Sequence, residues 1–302
     1  MRWFHEGADR LYLAIVRRLV PPMFRNGSTS PTLDDHLAAI ELQIPPLSAN
    51  QRYSLTARTL VGDVEAGFRF RPASRAGRPV LIYHHGLGEI PYDNMFRCIF
   101  RRRVPVDAHL VAVRAPFHRS HIECCRGLAT MSRFLAMCAV SVALIEALRL
   151  EFVTRGAQGC VVAGTSFGGF LTLLHHLTYG TATRYAPLLA GPDLAHTLLS
   201  TPCRHFLNPQ ARAHAADLPA HLDFRQAFRA SDTQHILPLL ARHDLWMPWD
   251  YHQAEYAATG VPVTVIDRGH MTGSWAFAQL RAHLLDVLRE LARDQAVGKP
   301  AQ

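Results

Sequence analysis

The residues in this chain whose types and spacing most directly suggest chemistry lie between Val161 and Phe170, where an apolar run breaks into glycines around Ser166. Gly164-Thr165-Ser166-Phe167-Gly168 is a G-x-S-x-G pattern, set directly after a strand-like segment and directly before a helix-like one, which is the context this pattern requires. A serine on so tight a turn brings the backbone two residues to either side against neighbouring elements, and glycine there removes the collision. The hydroxyl then projects at a helix N-terminus, where free N–H groups and the helix dipole favour developing negative charge. The same five letters also suit a plain glycine turn, so the partners elsewhere in the chain must decide between the two.

A serine hydroxyl is a weak nucleophile and needs a base within hydrogen-bond reach, most often histidine. Of the 18 histidines, His270 stands just past the strand-like Val261 to Ile266, in Asp267-Arg268-Gly269-His270-Met271. The base needs an acid to orient it. Asp244 closes the segment Leu239-Leu240-Ala241-Arg242-His243-Asp244 and is the first choice, with Asp267 and Asp250 as alternatives. Developing oxyanion charge needs two N–H donors, one from the residue after the nucleophile and one from the loop after the third strand. Phe167 supplies the first, and Leu87 in Tyr83-His84-His85-Gly86-Leu87-Gly88-Glu89 the second, with Gly86 as substitute. His85, Gly86 and Gly88 are expected to line the substrate site. Adjacent His84 and His85 should point apart in extended chain, and no carboxylate or cysteine recurs at ligand spacing, so neither a metal nor an organic cofactor is expected.

These groups must be held by an alternating framework. Two short strands, Tyr53 to Leu60 and Val64 to Arg71, read as a hairpin turning near Gly62-Asp63. Strands at Val80 to Tyr83, Leu110 to Val113, Cys160 to Ala163, Tyr185 to Leu189, Ile236 to Ala241 and Val261 to Ile266 then alternate with helices near 128–150, 168–177, 249–258 and 274–292. The pattern predicts an α/β fold with a mostly parallel, doubly wound sheet of eight-stranded type and helices on both faces. Residues 191–235 break the alternation and read as an inserted cap of small helices, while 294–302 reads as a frayed tail. The core is thus expected over 51–190 and 236–293, after an N-terminal helical extension at 1–50.

In that extension, Trp3, Leu11, Ile15 and Leu19 recur at near-helical spacing with Arg10, Arg17 and Arg18 between them. The plain expectation is an amphipathic helix packed on the domain by this stripe, and a weak membrane-surface contact through residues 1–20, or a lid role, is the alternative. No run reaches the roughly 18 to 20 apolar residues that cross a bilayer. At 302 residues, 49% hydrophobic and 19% charged, the chain has material for a sizeable core. Its net charge of +8 is almost all arginine, scattered except at Arg101, Arg102 and Arg103, which argues against a nucleic-acid stripe. Six cysteines without a CxxC pair suit free thiols in a cytoplasmic, reducing setting. The loop Arg114 to His121 should face the site mouth, where Arg119 or His121 meets either solvent or an anionic substrate.

Ser166, Asp244 and His270 follow one another in the order serine, acid, histidine, each just after a strand-like segment. In this the chain resembles the α/β-hydrolase superfamily over nearly all of 53–292. The resemblance implies an elbow at Ser166, an oxyanion loop at His85 to Gly88, an acid at Asp244 and a base at His270, with 191–235 where the family carries its lid. It also implies a serine hydrolase of esterase or lipase type acting on a small-molecule ester. Thioester, amide or peptide cleavage, acyl transfer and a non-catalytic binding protein are the alternatives. Phe206, Phe224 and Phe228 in the insertion lean towards an apolar acyl or alcohol portion.

Overall fold

Eight strands form one sheet in a computed structural model that describes residues 1–48 and 50–297. They are β1 (Arg52–Ala57), β2 (Val64–Arg71), β3 (Val80–His84), β4 (His109–Arg114), β5 (Cys160–Thr165), β6 (Arg184–Leu188), β7 (Leu239–Ala241) and β8 (Thr264–Ile266). Their order is β1-β2-β4-β3-β5-β6-β7-β8, with β1–β2 and β2–β4 antiparallel and every later pair parallel. β3 and β5 are buried at every residue, as expected of strands covered on both faces.

The helices are α1 (Arg2–Leu19), α2 (Leu33–Ala38), α3 (Asn94–Ile99), α4 (His121–Gly127), α5 (Met131–Thr154), α6 (Phe167–Thr178), α7 (Leu194–Ser200), α8 (Pro209–Ala213), α9 (Pro219–Leu222), α10 (Arg225–Ala230), α11 (Trp249–Ala257), α12 (His270–Ser274) and α13 (Phe277–Val297). Strand alternation sorts the core by face. Val80, Ile82, Val111 and Val162 meet Val140, Leu144, Leu148 and Phe152 of α5, whereas Leu81, Tyr83, Leu110 and Val161 meet α3 and α13 on the other side. Between β6 and β7, Pro202, Pro209 and Pro219 each open a short helix, as a residue with fixed φ and no N–H suits a first helical position.

Several expected boundaries move for local reasons. β1 stops at Ala57 because the Thr59 hydroxyl closes the following turn onto Gly62. α5 begins at Met131, where the Thr130 side chain accepts the Arg133 N–H as an N-cap. β7 is shorter than expected, with Ile236 making only an isolated bridge to Tyr185. The helix expected from Ser274 begins at Phe277 as α13, and His270–Ser274 before it forms the separate short helix α12. α13 continues through Val297, so Asp294 is helical where fraying was expected, and 298–302 lies outside the described residues. By length and composition α5 is apolar enough to cross a membrane, although no unbroken apolar run marks it, but most of it is buried in the core.

The largest departure is in α1. It packs on α12 as an expected helix would, yet the side it buries is His5, Asp9 and Leu13. Trp3, Leu11, Ile15 and Leu19, the stripe expected to face inward, are exposed.

Candidate active site

The turn from β5 to α6 carries Ser166 at φ 58° and ψ −118°, a conformation that costs a non-glycine residue on the order of 1–3 kcal/mol. The two glycines make it sterically feasible: a Cβ at Gly164 would overlap the backbone of Gly168, and one at Gly168 would strike the His84 carbonyl. The Ser166 N–H donates to Leu188 O at 2.8 Å, tying the turn to the end of β6.

Loops after β7 and β8 bring the two expected partners to this hydroxyl. His270 Nε2 lies 2.9 Å from Ser166 Oγ, and its Nδ1 lies 2.7 Å from Asp244 Oδ2. Asp244 Oδ1 accepts the N–H groups of Trp246 and Met247 at 2.8 Å each, so both carboxylate oxygens are engaged. Burial pulls the His270 pKa down, but the Asp244 charge and hydrogen bond, with Asp9 beyond, outweigh it and the net shift is upward from 6.5. The Trp246 indole stacks on the imidazole at 4.5 Å. Of the alternative acids, Asp267 pairs with His243 at 2.7 Å and Asp250 sits in the first turn of α11.

The loop after β3 is braced from within. Gly86 N–H donates to Glu89 Oε2 at 3.2 Å and Gly88 N–H to His118 Nε2 at 3.3 Å, which removes both as free donors. The N–H groups of Leu87 and Phe167 have no hydrogen-bond partner among the described residues. His85, expected to line the substrate site, is fully buried, with Nδ1 on Gly86 O at 2.7 Å and Nε2 accepting the Ala115 N–H at 3.0 Å. It braces the loop instead. His84 and His85 do not point apart as expected: leaving β3, their rings stack at 4.6 Å. Of the insertion phenylalanines, Phe224 touches Phe170 of α6 at 5.9 Å, Phe206 packs beside α1, and Phe228 is buried against Tyr256. Arg119 is exposed to solvent, the first of its two expected settings, and also pairs with Glu65 and Glu123.

Asp9 is the site residue that the sequence did not disclose. Fully buried beneath α1, its Oδ2 accepts the His270 N–H at 2.9 Å and the Leu245 N–H at 3.2 Å, while Oδ1 accepts the Met271 N–H at 2.9 Å. One carboxylate thus fastens the acid loop to the base loop. A Cβ at Gly269 would come within 3.0 Å of it, so the loop approaches α1 only because that residue is glycine. The available signal was the i, i+4 spacing of His5 and Asp9 on one helix face, but the partners of Asp9 lie more than 230 residues away.

Among solved structures, the fold is similar to a carboxyl esterase from Bacillus coagulans (12% identity, TM-score 0.55, covering 80% of this chain and all of that one). It is also similar to a fungal esterase from Rhizomucor miehei (15% identity, TM-score 0.54, 95% and 97% covered). A third is an acylaminoacyl peptidase from Pyrococcus horikoshii (13% identity, TM-score 0.51, 79% and 40% covered). The chain has the α/β-hydrolase fold. No protein-family model matches it, and no curated protein does. In this hydrolase fold, Ser166, Asp244, His270 and Leu87 all follow the C-terminal ends of parallel strands, where ligands of open α/β sheets bind.

Proposed function

We propose that this chain is a serine hydrolase cleaving a carboxylic ester through an acyl-enzyme. The observation that carries the reading is the continuous line from Asp244 through His270 to Ser166, at 2.7 Å and 2.9 Å, ending on a strained serine. Ser166 Oγ attacks the acyl carbonyl as His270 Nε2 takes its proton. Asp244 holds the imidazole with Nδ1 protonated and stabilises the imidazolium that forms. The Leu87 and Phe167 N–H groups receive the oxyanion, a contribution of roughly 3–4 kcal/mol per donor in comparable sites. His270 returns the proton to the leaving alcohol, then takes one from the water that releases the acid. The segment 191–235 serves as the cap, with Phe224 the aromatic best placed for an apolar substrate portion.

Ester is placed ahead of amide because esters ask less of the leaving-group protonation, and because esterases recur among proteins of this fold. The acylaminoacyl peptidase of like fold keeps amide cleavage as the second reading. Ser166→Ala should lower hydrolysis of a short p-nitrophenyl ester by about 10⁴- to 10⁶-fold. A fluorophosphonate should add one mass adduct, on Ser166. Full activity in the variant would overturn the reading, and absence of any adduct would favour a binding protein.

A further inference from the structure

α1 turns two polar side chains and Leu13 into the protein and leaves its larger apolar side chains outward, unlike a helix that exists to fill a core. His5, Asp9 and Leu13 are buried, whereas Trp3, Phe4, Leu11, Ile15 and Leu19 are exposed, Trp3 at 79% and Leu19 at 76%. The helix cannot roll to hide this stripe, because Asp9 is fixed by three backbone N–H groups and the His5 ring pairs with Thr272 at 2.8 Å. Trp275, directly after α12 on which α1 packs, adds another exposed aromatic.

The flank of the stripe is basic. Arg10 and Arg17 of α1, with His205, line a cavity of about 180 Å³ whose walls are otherwise Leu13, Ala14, Pro202 and Phe206. Burial, with the nearby charges of Arg17, Arg204 and Arg212, disfavours the charged form of His205. Glu6 is committed to Arg2 and Arg10, and Arg17, Arg18, Arg204 and Arg212 have no ion pair among the described residues. An apolar strip edged by uncompensated arginine matches the acyl–headgroup boundary of an anionic bilayer, where aromatic and aliphatic side chains enter the interface and each nearby cation adds about 1 kcal/mol.

We propose that α1 lies in the plane of an anionic membrane surface, its Trp3 to Leu19 stripe in the interface and the unpaired Arg17 and Arg18 at its end meeting lipid phosphate. The inference is independent of the hydrolase reading, since it concerns where the chain binds. It also places the helix that holds the His270 and Leu245 backbones at the bilayer, with Tyr12 of α1 against Trp246 at 5.6 Å.

The test is co-sedimentation of the full chain with phosphatidylcholine vesicles with or without phosphatidylglycerol. Binding is expected with the anionic vesicles at low salt, falling as salt rises and at least about 10-fold weaker on phosphatidylcholine alone. The combined change Trp3→Ser, Leu11→Ser and Leu19→Ser should reduce that binding by at least about 10-fold with the melting temperature unchanged, and Trp3→Ser alone should reduce it in part. Arg17→Gln with Arg18→Gln should weaken binding and flatten its salt dependence. No sedimentation with anionic vesicles, or wild-type binding by the triple variant, would overturn the proposal. So would light scattering that finds a dimer, without vesicle binding, which the triple variant dissociates, because a second copy would then cover the stripe.

Discussion

Four buried histidines meet around this site, and only one of them is raised in pKa. His84, His85 and His118 on the Leu87 side, and His270 on the Ser166 side, are each at most 2% exposed, and each engages Nδ1. On the Leu87 side every Nδ1 acceptor is a backbone carbonyl. Burial then wins, holding His84 down to about 3, His118 to about 4 and His85 also well below 6.5. On the other side the acceptor is the Asp244 carboxylate, with Asp9 behind it, and the shift is upward. The same burial thus holds three histidines neutral and leaves one raised, and the charge of the Nδ1 partner decides which.

The sharpest way to break that contrast is Asp244→Asn, which gives His270 a neutral partner like those of the other three. kcat is expected to fall by about 10⁴-fold, as when a wrong tautomer is stabilised in a triad. A loss below 10-fold would mean that the carboxylate does not set the base. Asp9→Asn is milder and more discriminating. Three N–H donors lose a charged acceptor, so the two loops loosen and kcat should drop roughly 10- to 100-fold. Because Asp9 also raises His270, the acidic limb of kcat/KM, which in the wild type should lie above pH 6.5, should move towards lower pH. A merely structural Asp9 would lower activity without moving that limb.

The sheet and its serine turn were legible because they rest on local pattern: apolar runs of strand length, glycines two residues either side of Ser166, and Asp244 and His270 in chain order after their strands. Asp244 was separable from Asp267 and Asp250 by its position at the end of a strand, and of the three it is the one hydrogen-bonded to His270. The inward face of α1 was not legible. A helix periodicity identifies a stripe but not which side meets the protein, and the apolar stripe lost to three backbone N–H groups from distant loops that needed an acceptor. The bracing of the Leu87 loop was hidden for the same reason, since His85 and His118 act through contacts with backbone groups that no spacing marks.

His118 allows the neutral side of the comparison to be tested alone. In His118→Phe the Gly88 N–H loses its acceptor, the loop carrying Leu87 gains freedom, and kcat should fall by about 10-fold. The acidic limb should stay where it is, because a histidine already held to about 4 carries no charge across that range. Movement of the limb would show that the two sides are not electrostatically separate.

Glu89 carries the smallest expected effect. Its Oε1 accepts the Met95 N–H at 2.7 Å and its Oε2 the Gly86 N–H, and burial raises its pKa from 4.5 to about 7. An acid held more tightly protonated in the folded state adds stability below its unfolded pKa, and that contribution is lost as pH rises through the folded value. Glu89→Gln removes this titration. Relative to wild type, the variant should therefore gain stability between about pH 4.5 and pH 7, by on the order of 1–3 kcal/mol, and the difference should level off above that window. Urea titrations at several pH values measure it. A difference independent of pH would mean that Glu89 is ionised throughout, and the Leu87 loop would then be held by a charge, like the His270 side, rather than by neutral groups.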